Sequence, residues 1–228
     1  MAEPLFIGLP DAIGRRVMCA LELRDPVTGM ATSAGLAVAA AGLGTPVLTP
    51  SHRFVWPDRD PPQARGITVK ITSRDSRFAN AEEVLQIPAH MQGTPAADLL
   101  KTISLQPTGL YRPPAGITAV TAMLVEAAGQ RDPVAGAEII LVYPGLASTY
   151  VATSDARGGF VAPFPELGAL GSAPPPERNG QPLAWLELRR GTDPPRFSPL
   201  LDLRRGRSIE LPQPLIWADL SSNPPPVP

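Results

Sequence analysis

The sequence predicts an all-β protein: two tandem seven-stranded β-sandwiches joined by a proline-rich linker and followed by a proline-rich tail. Three observations predict this. The first is an ordered internal repeat. Arg24-Asp25-Pro26-Val27-Thr28-Gly29 recurs 107 residues later as Arg131-Asp132-Pro133-Val134-Ala135-Gly136, and Arg53-Phe54-Val55-Trp56-Pro57 is answered by Gly159-Phe160-Val161-Ala162-Pro163. Arg77-Phe78 matches Arg196-Phe197, and Thr102–Pro107 resembles Ser208–Pro214. Cues in one order at near-constant spacing are the signature of a duplicated domain. The second is a series of short apolar runs separated by turn residues, the pattern of a sandwich. The third is composition: 30 prolines against 5% aromatic residues imply small aliphatic cores joined by stiff loops.

Residues 1–16 form an extended leader, with Pro4 and Pro10. The first sandwich spans residues 17–107. In its opening strand Val17, Cys19, Leu21 and Leu23 alternate with Met18, Ala20, Glu22 and Arg24, the pattern of a half-buried strand. Asp25-Pro26-Val27-Thr28-Gly29 then turns the chain: proline presets φ, and glycine tolerates the positive φ that closes the turn. The Leu36–Ala41 run is apolar but short for a helix. Phe54-Val55-Trp56 and Ile67–Thr72 continue the strand pattern, with Ile67, Val69 and Ile71 inward and Thr68, Lys70 and Thr72 outward. Between Arg77-Phe78 and the closing strand Thr102–Leu105 the first copy carries extra residues. There Thr94-Pro95-Ala96-Ala97-Asp98-Leu99-Leu100 reads as one helical turn, with Thr94 as N-cap and Pro95 at its first position.

Residues 108–116 are the linker, short and proline-rich, which restricts the angle between the copies. The second sandwich spans 117–214. Its expected strands are Thr118–Val125, Ala137–Tyr143, Thr149–Thr153, Phe160–Phe164, Leu183–Arg189, Phe197–Leu203 and Arg207–Leu211. The connection Glu166–Pro182, with Pro174-Pro175-Pro176, is expected to contain no ladder strand. Residues 215–228 form a tail whose Pro224-Pro225-Pro226 favours polyproline II.

Charge and cysteine content exclude several classes. Residues 1–110 carry ten basic and ten acidic side chains, and residues 111–228 carry ten and eleven. No basic footprint for nucleic acid follows. Cys19 is the single cysteine, so no intrachain disulfide forms, and its apolar neighbours mark it as a buried hydrophobe. Met1–Arg16 lacks the basic head and apolar run of a signal peptide, and no stretch reaches the ~18 apolar residues of a membrane span. A cytoplasmic protein, or one released as part of a particle, is expected.

The inventory for chemistry is thin. His52 and His90 are 38 residues apart with no second ligand at chelating spacing, and His52 reads as a strand or turn residue. Ser154 and Ser208 have no nearby histidine and no Gly-x-Ser-x-Gly elbow. Asp58-Arg59-Asp60 is framed by Pro57 and Pro61-Pro62 as a solvated turn, too poor in oxygens for calcium. No catalytic, cofactor-binding or metal-binding residue is assigned, and no small-molecule partner is expected.

Residues 133–164 carry a resemblance. Pro133-Val134-Ala135-Gly136-Ala137-Glu138-Ile139, followed by Thr153-Ser154-Asp155-Ala156-Arg157-Gly158-Gly159-Phe160, resembles the carboxypeptidase regulatory-like domains, whose fold is a transthyretin-like or immunoglobulin-like β-sandwich. Each residue also has a local reason. Gly136 permits the entry turn, Asp155 bonds backbone amides of its own turn, Gly158 or Gly159 accepts positive φ, and Phe160 plugs the core. The match covers about a third of the second copy; in the first copy only the entry turn and the Phe54 region survive. Intradiol dioxygenases share this kind of sandwich and hold iron with two tyrosines and two histidines. Tyr111, Tyr143 and Tyr150 are present here, but the His-x-His pair is missing. Isopeptide crosslinking in related adhesin domains needs a core lysine; the second copy has no lysine, and Lys70 of the first points outward.

The resemblance implies a non-catalytic module. Such domains dock onto other proteins, extend scaffolds or bind sugars, and similar small bacterial proteins accompany phage-tail-like and contractile-injection assemblies. The expectation is a structural or adaptor component whose partners are other protein subunits. The candidate docking residues are Leu215, Ile216, Trp217, Leu220, Pro224, Pro225 and Pro226 of the tail and Leu99 and Leu100 of the insertion; the alternative for Leu215–Leu220 is that it covers an edge strand of the second copy. The alternative is a carbohydrate-binding accessory module, which requires Trp56, Trp185 or Trp217 to present an exposed platform.

Overall fold

The computed structural model describes residues 17–57, 65–87, 96–129, 132–143, 146–164, 177–178, 181–203 and 206–226. Its regular elements are β-strands and two short 3-10 turns, so the chain is all-β. The chain divides into two compact units. The first holds residues 1–24, 31–72 and 80–104; the second holds Asp25–Met30, Ser73–Ala79 and Leu105–Pro228.

The first unit contains β1 (Val17–Arg24), β2 (Leu36–Ala40), β3 (Val47–Leu48), β4 (Arg53–Pro57), β5 (Arg65–Ser73), β6 (Ala81–Ile87), a 3-10 turn (Ala96–Leu99) and β7 (Leu100–Ser104). They form two sheets, β3-β4-β1-β7 and β2-β5-β6. Strand β1 runs antiparallel to β4, with Leu21 opposite Phe54, and parallel to β7, with Leu23 opposite Ile103. Its alternating pattern predicts one solvated face, yet Met18 through Leu23 are all buried. A strand inside its sheet and covered on both faces has no face left for water. The buried Glu22 is therefore paired: Arg24 Nε donates to one carboxylate oxygen at 2.7 Å and Arg53 Nε to the other at 2.8 Å.

Strand β5 follows its period: Ile67, Val69 and Ile71 are buried, while Thr68, Lys70 and Thr72 are exposed. Lys70 pairs in register with Glu82 of β6, and the two form an exposed ion pair at 3.0 Å. The sequence does not announce β6, because Glu82 and Glu83 are weak strand formers; Leu85 and Ile87 supply its buried face. The β3–β4 connection is a tight loop. Thr49 N donates to Arg53 O at 2.9 Å, and His52 N donates to Thr49 O at 3.0 Å. His52 takes φ +60°, a left-handed conformation that histidine tolerates better than most side chains.

The second unit contains β8 (Ala119–Val125), β9 (Glu138–Tyr143), β10 (Leu146–Thr153), β11 (Gly159–Pro163), β12 (Glu177–Arg178), β13 (Gln181–Arg189), β14 (Arg196–Phe197), β15 (Leu201–Asp202), β16 (Ser208–Glu210), β17 (Leu215–Ile216) and a 3-10 turn (Trp217–Asp219). One sheet runs β11-β8-β16, with β17 pairing β8 further along; the other runs β10-β9-β13-β12, with β14 and β15 also on β13. Like β1, β8 has an antiparallel neighbour carrying the Phe-Val cue and a parallel neighbour near the end of its repeat. The repeated turns also agree, since Gly29 has φ +71° and Gly136 φ +72°. The core includes Leu124, Ile139, Leu141, Tyr143, Phe160 and Leu186, and the Tyr143 and Phe164 rings lie 3.9 Å apart.

Two expectations need correction. Glu177–Arg178 form β12 and pair with Gln181 and Pro182, so the stretch to Pro182 does contain ladder residues; Pro182 is tolerated at the start of its strand. Glu166–Pro176 lies outside the described residues. The expected strand Phe197–Leu203 is split into β14 and β15 at Ser198-Pro199-Leu200. Pro199 has no N–H for a ladder, and Ser198 bridges the gap, its hydroxyl accepting from Leu186 N at 2.9 Å.

Candidate functional site

The tail residues expected to dock belong largely to the second unit's own core. Leu215 and Ile216 of β17 pair in parallel with Leu124 and Val125 of β8. Trp217 and Leu220 are each 7% exposed and sit in the hydrophobic core, with Leu215 packed against it. The Arg196 guanidinium lies 5.5 Å over the Trp217 ring and donates to Trp217 O at 3.2 Å. Phe197 and Ser221 exchange both backbone bonds, at 2.9 and 3.1 Å. Residues 215–221 thus close the unit. The sequence leaves the role of this apolar run open because the repeat cues end at Pro214, one residue before β17. Beyond it, Pro224 and Pro226 are exposed and Pro225 is half-buried. In the first unit, Leu99 ends the 3-10 turn and Leu100 opens β7 opposite Ala20; both are half-buried. Thr94, Pro95, His90, Asp58-Arg59-Asp60 and the leader lie outside the described residues.

The structure brings together a polar constellation, all of it within the second unit, of which sequence reasoning singles out only Asp155 and the amides of its own turn. Asp155 accepts from Arg157 N at 2.8 Å and Gly159 N at 2.9 Å through one oxygen, and from Gly109 N at 2.9 Å through the other. The Tyr111 hydroxyl donates to Asp25 at 2.5 Å, and Asp25 also accepts from Val27 N at 2.9 Å. Thr108 N donates to Arg77 O at 2.9 Å and its hydroxyl to Ser76 O at 2.6 Å, while Ala79 N donates to Gln106 O at 2.8 Å. The segment read as a linker is therefore bonded to the turns at residues 25–27, 76–77 and 155–159. One signal was present in the sequence: a glycine pair at 158–159 and a lone Gly109. A Cβ on Gly109 would lie 2.8 Å from Gly159 Cα, so two backbones cross where neither can carry a side chain.

The remaining chemistry-bearing groups also serve the scaffold. Ser154 is buried; its hydroxyl donates to Val134 O at 2.7 Å and accepts from Ala137 N at 2.9 Å. Cys19 is buried, and burial pushes its thiol up to about 11. His52 Nδ1 meets Ser33 Oγ at 2.9 Å. Burial and the hydrogen bond to Asp25 raise the Tyr111 pKa well above the ordinary phenol range. Among the described residues, no three of His, Cys, Asp and Glu converge on a metal position. Trp56, Trp185 and Trp217 are all buried, and Trp56 Nε1 donates to Gly44 O at 3.1 Å. No helix of the described residues is long and apolar enough to cross a membrane.

No protein-family model matches the chain, and no curated protein matches it. A search of solved structures finds the Bacillus anthracis TIE protein at 8% identity and a TM-score of 0.29, covering 86% of this chain and 33% of that one. This chain therefore spans about a third of the length of that structure.

Proposed function

We propose that the protein is a non-catalytic structural or adaptor component that docks onto other proteins in a larger assembly. Within this reading the chain comprises two tandem seven-stranded, transthyretin-like sandwiches of the carboxypeptidase regulatory-like kind. The observation that carries the reading is the use made of the carboxylates at the turns and inside the sheet. A catalytic carboxylate must keep a lone pair facing substrate. Here Asp155 holds three backbone amides, Asp25 holds a tyrosine hydroxyl and an amide, and Glu22 holds two arginines. These groups work as struts within their own units, which suits a structural part that must keep its shape. A phage-tail-like or contractile-injection particle is one setting that fits such a part.

Docking falls to what remains outside the core: Pro224, Pro225 and Pro226, whose restricted φ lowers the entropy lost on ordering. The carbohydrate-binding alternative needs an exposed indole platform, and all three indoles are interior. The test is native mass spectrometry of the tagged protein purified from its own host. The proposal expects a complex of fixed stoichiometry with defined protein subunits. A monomer at every concentration and salt tested would contradict it.

A further inference from the structure

We infer that the second unit is built to carry tension along the chain, with β8 held in shear against β16 and β17. Within Leu105–Pro228 the first strand and the last two are neighbours that run parallel. Ala119, Val120 and Thr121 pair with Ser208, Ile209 and Glu210, and Leu124 and Val125 pair with Leu215 and Ile216. Backbone bonds continue this alignment past both ends of the ladder. Gly116 N donates to Gly206 O at 3.1 Å before the strands, Leu211 N to Thr121 O at 3.0 Å between them, and Ala218 N to Glu126 O at 3.2 Å after them. The pairing lifts off only around Pro212-Gln213-Pro214, whose prolines have no N–H to give.

Parallel order decides how force acts. The chain enters at one end of β8 and leaves at the opposite end of β17. Tension therefore drives the strands past each other, and the evenly spaced rungs of a parallel ladder are loaded together. Antiparallel terminal strands would bring both ends to one edge and open rung by rung. Beyond β17, Trp217 and Leu220 are buried in the core, and Phe197 and Ser221 exchange both backbone bonds. Sliding of the last strand must withdraw these side chains as well. The first unit repeats the arrangement: β1 opens it, β7 closes it, and the two pair in parallel from Ala20–Leu100 to Arg24–Ser104.

The inference concerns how the chain answers force and holds whether or not the prolines after Ser221 dock. The test pulls the full chain in two directions through the same bonds in an optical trap, with Cys19→Ala so that a single thiol takes the handle. Ala115→Cys, at an exposed position just before β8, with a second handle at the C-terminus shears β8 against β16 and β17. Ala128→Cys, at an exposed position just after β8, with the same second handle peels β17 and then β16 from the matching end. Forced unfolding reads the barrier to unfolding and not the equilibrium stability. The urea midpoints of the two chains should coincide, so that the comparison is one of direction alone. At one loading rate the Ala115→Cys chain should unfold at a several-fold higher force than the Ala128→Cys chain. Equal forces in the two directions, or a lower force in shear, would overturn the inference.

Discussion

The Tyr111 hydroxyl donates to the Asp25 carboxylate at 2.5 Å, joining a residue just past the two-residue turn at Gly109-Leu110 to the first residue of the Asp-Pro-Val-Thr-Gly turn. Both residues are buried, and the Tyr111 ring packs 5.3 Å from Phe78. Tyr111→Phe keeps the ring contact and removes only the donor, leaving Asp25 with Val27 N. The expected loss is about 1.5–3 kcal/mol, the range for a hydrogen bond to a charged group, measured by urea unfolding at pH 7.

The same pair sets an alkaline limit. Burial first, then Asp25, raise the Tyr111 pKa, and burial raises that of Tyr150 to about 12. A group whose folded pKa lies above its unfolded value stabilises the fold fully below the unfolded value, near pH ~10 for tyrosine. That stability is lost as pH rises from there toward the folded values. Thermal melts should decline above about pH 10, and Tyr111→Phe should decline less steeply.

Glu22 sets an acid limit of the opposite sign. The Arg24 and Arg53 guanidiniums hold its carboxyl below the usual range, against the upward push of burial. Its stabilisation is present above the ordinary glutamate value of about 4.3 and is lost as pH falls through the folded value. In Glu22→Gln the melting temperature at pH 7 should fall, and its further drop on acidification should be smaller than that of the parent.

Glycine positions separate strain from collision. Gly158 has φ +76°, and a Cβ there would lie 2.2 Å from the Leu124 carbonyl oxygen, a backbone atom that cannot step aside. Gly29, at φ +71°, has nothing within 4 Å of its Cβ position. Gly29→Ala should cost about 1–2 kcal/mol for the left-handed conformation alone. Gly158→Ala should cost well beyond that, or abolish folding in a circular-dichroism assay.

Much of the β-structure was legible from local patterns, because local rules produced it. Ile67, Val69 and Ile71 are buried on one face of β5 as their spacing requires, and the Gly29 and Gly136 turns carry the positive φ their Asp-Pro-Val-x-Gly sequences imply. The failures lie where tertiary context decided. Nothing local told that β1 would be covered on both faces, so that Met18 and Ala20 would be buried with Cys19 and Leu21. For Trp217 and Leu220 the sequence leaves docking and the covering of an edge strand both open, because chain order does not reveal that β17 resumes pairing with β8 after β16. The Asp155–Gly109 and Tyr111–Asp25 bonds span 46 and 86 residues, and no spacing rule reaches that far. For the candidate site, legibility was lowest: of the tail residues expected to dock, Trp217 and Leu220 are buried, Leu215, Ile216 and Pro225 are half-buried, and Pro224 and Pro226 are exposed.

Residues 215–221 pack into the second unit's fold, and on the proposed function the prolines after them dock. Truncation after Asn223, compared with truncation after Pro214 and with Trp217→Ala, tests it by pairing a thermal melt with native mass spectrometry of the host-purified protein. The chain ending at Asn223 should melt like the parent and lose its partners. The chain ending at Pro214 should unfold, and Trp217→Ala should lose about 3–5 kcal/mol. A chain ending at Asn223 that keeps its partners, or a chain ending at Pro214 that melts like the parent, would contradict the claim.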